Sequence, residues 1–230
     1  QEALQRNVTS EPGPGNAAAR IKMAGGEVVT AEAGAMSAMS GKVNIETSTY
    51  QKGKGGVLKA LKRMIAGESF FLNHFTASQD GDEVWVSPVL AGDLLAHDMQ
   101  GDTLVVQSGS FLAAEKDIQM DMDWQGFKSI FSGESLFWLK CSGTGKIVLS
   151  AFGAIYPIEV DGDYIVDTGH IVAFDETLNF TINKADKSLI GSFLGGEGLV
   201  TKFTGKGTVW CQSHNSSSFG KALGPALRPR

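Results

Sequence analysis

The 230-residue sequence predicts an all-β fold: three internal β repeats forming one sandwich- or barrel-like domain, with short helices between strands. Three observations predict it. Glycine is abundant, at 29 residues against 6 prolines with no collagen period, which implies many tight turns and hence many short strands. Polar and apolar residues alternate in short runs, strictly so in Ile118-Gln119-Met120-Asp121-Met122, as in a strand with one wet and one buried face. Finally, two phrases recur. One holds GES or its echo, at Gly67 in MIAGESFFLNHFTAS, at Gly133 in IFSGESLFWLKCSGT and at Gly196 in FLGGEGLVTKFTGKG.

Taken in order, residues 1–19 are polar around Gly-Pro-Gly-Asn and read as a flexible leader. The repeat domain spans residues 20–214. Its other phrase starts at Glu27 (EVVTAEAGAMSAMSGKVNIETS), Asp102 (DTLVVQSGSFLAAEKDIQMDMD) and Asp163 (DYIVDTGHIVAFDETLNFTINK). Each copy runs from a β-rich start to a glycine (Gly34, Gly109 or Gly169), then to an alternating strand: Lys42 to Thr47, Ile118 to Met122 or Leu178 to Ile182. Between the phrases lie short helical pieces. In GGVLKALKRMIAGES, Val57, Leu58, Leu61, Met64 and Ile65 share a face, and each piece ends at a glycine. After GES come KCSGTGKIVLSAF and KFTGKGTVWCQSH, which read as hairpins with glycine-bearing turns. No copy can bury its apolar face alone, so the copies are expected to close around a shared core. Phe70, Phe71, Leu72, Leu136, Phe137, Trp138, Leu199 and Val200 are its expected members. The recurring Glu is structural, a carboxylate beside a glycine turn that accepts backbone N–H groups. Residues 215–230 are a Ser-rich linker and a short helix-capable tail.

Composition narrows the function classes. The net charge is −5 and the pI near 5.4, which disfavours a dedicated nucleic-acid binder. Cys141 and Cys211 are far apart without CxxC spacing and read as reduced core thiols. No apolar run approaches the ~18 residues a membrane span needs, and the N-terminus shows no signal-peptide core.

The quoted residues also carry a family likeness. AEAGAMSAMSG, GGVLKALKRMIAGESFFLNHFTA, LSAFG, VDTGHIVAFDE and FLGGEGLVTKFTGKGTVW occur in an order and spacing that resembles the mitochondrial biogenesis family, named after altered inheritance of mitochondria. The likeness covers about residues 20–225. It implies a fold related to the tryptophan RNA-binding attenuation protein, no established enzymatic activity, and no catalytic residue or cofactor to carry over. Eukaryotic members are tied to inner-membrane organisation and respiratory-complex integrity. The implied location is cytoplasmic for a bacterial protein and mitochondrial for a eukaryotic one.

Two sets of residues are candidates for chemistry. Lys52, Lys54, Lys59, Lys62 and Arg63 form a basic cluster in an acidic protein. The plain reading is a solvated helix capping the β core. The alternative is contact with an anionic membrane or acidic protein, at ~1 kcal/mol per basic residue near a membrane surface. GKGG there offers a phosphate nest but lacks the Walker A spacing. His170 breaks the repeat, standing where the other copies have Ser110 and Ala35, and Asp167 and Asp175 are near in sequence. The plain reading is a turn histidine, and the alternative is a small-ligand or metal site of these three residues. No histidine pair has metal-ligand spacing and no GxSxG is present. His74 aligns with Lys140 and Lys202 and reads as the polar face of a strand. No stripe of basic and aromatic residues supports RNA binding. The resulting expectation is a non-enzymatic scaffold or binding protein that assembles as a homo-oligomer, with a ligand-binding β protein as runner-up.

Overall fold

A computed structural model describes residues 8–13, 16–49, 71–121, 138–184 and 199–227. It is built almost wholly of strands. The first group holds β1 (Val8–Gly13), β2 (Asn16–Met23), β3 (Val28–Glu32), β4 (Met36–Met39), β5 (Asn44–Thr49), β6 (Phe71–Thr76) and β7 (Asp82–Val86). The second holds β8 (Leu94–Gln107), β9 (Phe111–Glu115), β10 (Ile118–Asp121) and β11 (Trp138–Ser150). The third holds β12 (Ile155–Asp167), β13 (Ile171–Asp175), β14 (Asn179–Lys184) and β15 (Leu199–Gln212). Single 3-10 turns, Ser108–Ser110 and Thr168–His170, join β8 to β9 and β12 to β13. Helix α1 (Ser216–Leu223) follows.

The stretch read as a leader holds β1 and the first half of β2. Ala19, Ile21 and Met23 alternate inward on β2 and are buried, so this alanine-rich run has the period of a half-buried strand. The tail differs as well. Ser216–Ser218 is the first turn of α1, because the Asn215 carboxamide accepts the backbone N–H groups of Ser217 and Ser218. The short helices expected before each GES phrase, and Glu68, Glu134 and Glu197 with them, lie outside the described residues.

The strands form a four-stranded sheet, β1-β2-β7-β4, and an eleven-stranded sheet ordered β12-β15-β13-β8-β11-β9-β3-β6-β5, with β10 on β11 and β14 on β15. Every pairing between named strands is antiparallel. The expected barrel-like closure is corrected: the sheets stay open. β12 ends one sheet and β4 ends the other, so the strands that would have to meet sit at separate sheet margins.

The two expected hairpins are also corrected. Lys140 to Ser150 and Lys202 to Gln212 each lie within one long strand, β11 and β15. Their glycines bend the strand and do not reverse it. Gly143 and Gly145 have φ of 129° and 141°, Gly205 has 118°, and the β11–β8 register slips between Ser142 and Thr144. The bend is large. Thr168 Oγ1 lies 3.0 Å from Thr201 Oγ1, while the next residue, Gly169, accepts from Gln212 Nε2 at 3.1 Å. On a straight strand Thr201 and Gln212 would stand roughly 36 Å apart. Here both ends of β15 converge on one 3-10 turn.

The core is three clusters. One centres on Leu104, Val106, Phe111, Leu139, Ile147 and Leu149, a second on Ile21, Val29, Phe75, Val84 and Val86, and a third on Trp138, Ile171, Phe174, Phe203 and Val209. β9 is buried along its whole length and β13 over Ile171–Phe174, as expected of central strands covered on both faces. Of the expected core residues, Leu72 and Trp138 are buried, and Phe71, Leu199 and Val200 are half-buried. Phe70, Leu136 and Phe137 lie outside the described residues.

Candidate functional site

Asp167, His170 and Asp175 each have a partner in the fold. Asp167 caps the Thr168–His170 turn by accepting the Gly169 N–H at 2.8 Å. His170 Nδ1 lies 2.8 Å from the Gln212 carbonyl, to which it donates. Asp175, at the far end of β13, accepts the Thr208 N–H at 2.7 Å. That last bond has two counterparts. Ser40 Oγ accepts the Glu83 N–H at 2.9 Å, and Glu115 accepts the Lys146 N–H at 3.0 Å. Ser40 lies just past β4, and Glu115 and Asp175 end β9 and β13, and all three strands carry the same slip in their pairing: between Met36 and Ala38 on β4, beside Leu112 on β9 and between Ile171 and Ala173 on β13. Asp175 thus fastens a bulged strand to its neighbour. Among the described residues, no group of three His, Cys, Asp or Glu side chains is placed to hold a metal ion. Lys52, Lys54, Lys59, Lys62 and Arg63 lie outside the described residues.

Two other features stand out, and the sequence flagged neither. The first is a pair of strand edges that no other strand among the described residues covers. Where the strand groups join, β3 lies against β9, pairing Val29 with Glu115, Thr30 with Ala114 and Ala31 with Ala113. β8 lies against β13 in the same way, pairing Leu104 with Asp175, Val105 with Phe174 and Val106 with Ala173. The matching stretch of β12 is Tyr164, Ile165 and Val166, since Ile165 faces Lys202 as Val105 faces Lys140. Among the described residues, no strand covers its outer edge, and Tyr164 and Ile165 are 44% and 53% exposed. The stretch matching β9 and β13 is β4. There Met39 faces Val84 as Ala114 faces Ile147 and Phe174 faces Val209, and no described strand covers the second edge of β4 either. The first half of such a joint and the second half are both left open.

The second feature is a polar row across β3, β6 and β5. His74 Nδ1 lies 2.9 Å from Thr30 Oγ1 and its Nε2 lies 2.7 Å from Ser48 Oγ. On the neighbouring sheet, Glu83 is held below the usual carboxylate range by hydrogen bonds from Trp85 and Arg20. Glu32 is pushed up by burial. Burial also pushes the Cys141 and Cys211 thiols up to about 12, which makes both poor nucleophiles.

Comparison with known proteins fits this architecture. A family model described as mitochondrial biogenesis AIM24 matches residues 12–214. An uncharacterised protein of Streptococcus pyogenes serotype M6 is 29% identical over 188 residues, covering 78% of this chain and 75% of the relative. A crystal structure of a Streptococcus pyogenes protein, solved as a structural genomics target, superposes with a TM-score of 0.78. It is 25% identical and the match covers 97% of this chain and all of that one. Among the described residues, no helix is long and apolar enough to cross a membrane.

Proposed function

The chain belongs to the mitochondrial biogenesis AIM24 family, and from that premise we propose that it is a scaffold that works by binding and self-assembly, not by turnover. Neither relative carries the name of an enzyme. The observation that carries the reading is the pair of open edges. We read the three strand groups as copies of one unit. Each copy offers a receiving edge (β3, β8 or β12) and an inserting strand (β4, β9 or β13). Two of the three receiving edges are filled within the chain, by β9 and β13. The last receiving edge, on β12, and the first inserting strand, β4, remain for a second copy.

An uncovered strand edge is a template for further pairing, and natural proteins usually blunt such edges with charge or proline. The β12 stretch instead presents Tyr164 and Ile165. Head-to-tail pairing in the register of the internal joints would set Tyr164 against Ser40, Ile165 against Met39 and Val166 against Ala38 of the next copy. A heterologous contact of this kind gives rings or filaments.

The test is native mass spectrometry together with cross-linking of a chain carrying Ile165→Cys and Met39→Cys. Directly opposed residues of an antiparallel pair stand about 4.5–5.5 Å apart at Cα, within reach of a disulfide. Oligomers in the unmodified protein, and disulfide-linked oligomers on mild oxidation of the double variant but of neither single variant, are expected. A monomer at every concentration with no cross-linked species would overturn the reading. Retained extra mass that disappears in His170→Ala would favour a ligand site there instead.

A further inference from the structure

Independently of assembly, we propose that Ser48 is an acyl-accepting nucleophile activated by His74, at an edge that takes an acyl group from an activated carboxylic ester. The geometry has the three parts such a group needs. The nucleophile is Ser48 on β5, with Oγ 2.7 Å from His74 Nε2. The base is His74 on β6. The orienting group is Thr30 on β3, with Oγ1 2.9 Å from His74 Nδ1 and only 7% of the residue exposed. A neutral imidazole has one N–H and one bare nitrogen. With the proton on Nδ1 donated to the Thr30 oxygen, Nε2 is free to accept the Ser48 O–H. Glu46 stands directly across from His74 on β5, so a carboxylate flanks the imidazolium that forms.

The fold itself does not ask for this arrangement. Lys140 and Lys202 hold the places on β11 and β15 that match His74. Each reaches a carboxylate, Lys140 that of Glu176 and Lys202 that of Asp163 at 2.6 Å. A lysine thus satisfies the same position twice, and an imidazole held between two hydroxyls is a departure peculiar to the first strand group. The site lies on a sheet margin, because β5 ends its sheet and carries no strand beyond it among the described residues. A small extended acyl group can therefore approach Ser48 without crossing the core.

The step is acyl transfer. Ser48 Oγ attacks the ester carbonyl carbon and its proton passes to His74 Nε2. The tetrahedral adduct then expels the alcohol oxygen, which takes the proton back from Nε2. The products are an ester on Ser48 and the free alcohol, with His74 returned to its starting state.

The probe is p-nitrophenyl acetate, read by p-nitrophenolate release and by peptide mapping of the full chain. The expected result is one acetyl group on the peptide containing Ser48, lost in Ser48→Ala. His74→Gln should slow labelling of Ser48 by about 10²–10⁴-fold, the usual worth of a positioned general base. Thr30→Val should also slow it, because the ring loses its orienting partner. His74→Lys installs the side chain used at the two matching places, so it should keep the melting temperature of the parent while losing the label on Ser48. Absence of the acetyl group from Ser48, or labelling of Ser48 at an unchanged rate in His74→Lys, would overturn the proposal.

Discussion

The Asp175 carboxylate accepts the Thr208 N–H at 2.7 Å, and Ser40 and Glu115 do the same for Glu83 and Lys146. Three different side chains, Ser, Glu and Asp, meet one need: an oxygen acceptor for a backbone N–H beside a bulged strand. Residue identity differs between the three places, so the sequence alone could not show the shared role, and Asp175 looked free for chemistry. Asp175→Ala leaves the Thr208 N–H without that acceptor. It should lower stability by about 1–3 kcal/mol, read by urea denaturation, without releasing any bound ion. The opposite error concerns His74. It aligns with two lysines and so reads as strand surface, yet its ring is held at both nitrogens. Its partners Thr30 and Ser48 come from different strands, and only their pairing brings the hydroxyls to it.

At the scale of elements, short alternating runs are legible because a strand buried on one face must alternate. Ile118–Asp121 is β10, and the expected strands from Lys42 and Leu178 correspond to β5 and β14. The long strands are less legible. GTG and GKG carry the residues of a hairpin turn, but a positive-φ glycine can also bend a strand that continues, and what decides is whether a partner runs alongside. β8 accompanies β11, and β12 accompanies β15 in unbroken register from Gln212 to Val200. Gly143 is the sharpest of these points, since a Cβ there would stand 2.2 Å from the Asp117 carbonyl oxygen, at a φ of 129°. Gly143→Ala should cost about 1–3 kcal/mol for the backbone strain alone, with the clash in addition. The measurement is the shift of the denaturation midpoint. Gly101→Ala, at a φ of 92° with nothing within 4 Å of its Cβ, isolates the backbone contribution.

At the scale of the whole molecule, the three core clusters are not separate bodies. β9 sends Phe111 and Ala114 into one cluster and Leu112 and Ala113 into another. β8 sends Leu104 and Val106 one way and Val105 the other, and β13 divides Ala173 from Phe174 in the same manner. Shared strands cannot leave one cluster and stay in the next. Unfolding by urea should therefore be a single transition, with far-ultraviolet circular dichroism and tryptophan fluorescence coincident. Two separated transitions would contradict this account of the core. By itself the sequence determined that the protein is all-β, where the alternating strands β5, β10 and β14 lie, that Leu72 and Trp138 are buried, and the family likeness, because period and glycine spacing are local properties. Only the tertiary structure decided that the sheets stay open, that GTG and GKG bend strands that do not turn back, and that Asp175 is a fastener. It alone left one edge of β4 and one edge of β12 without a partner strand among the described residues and brought Ser48 and Thr30 to His74. Those outcomes depend on which strand lies beside which, a relation between distant residues that no local pattern encodes.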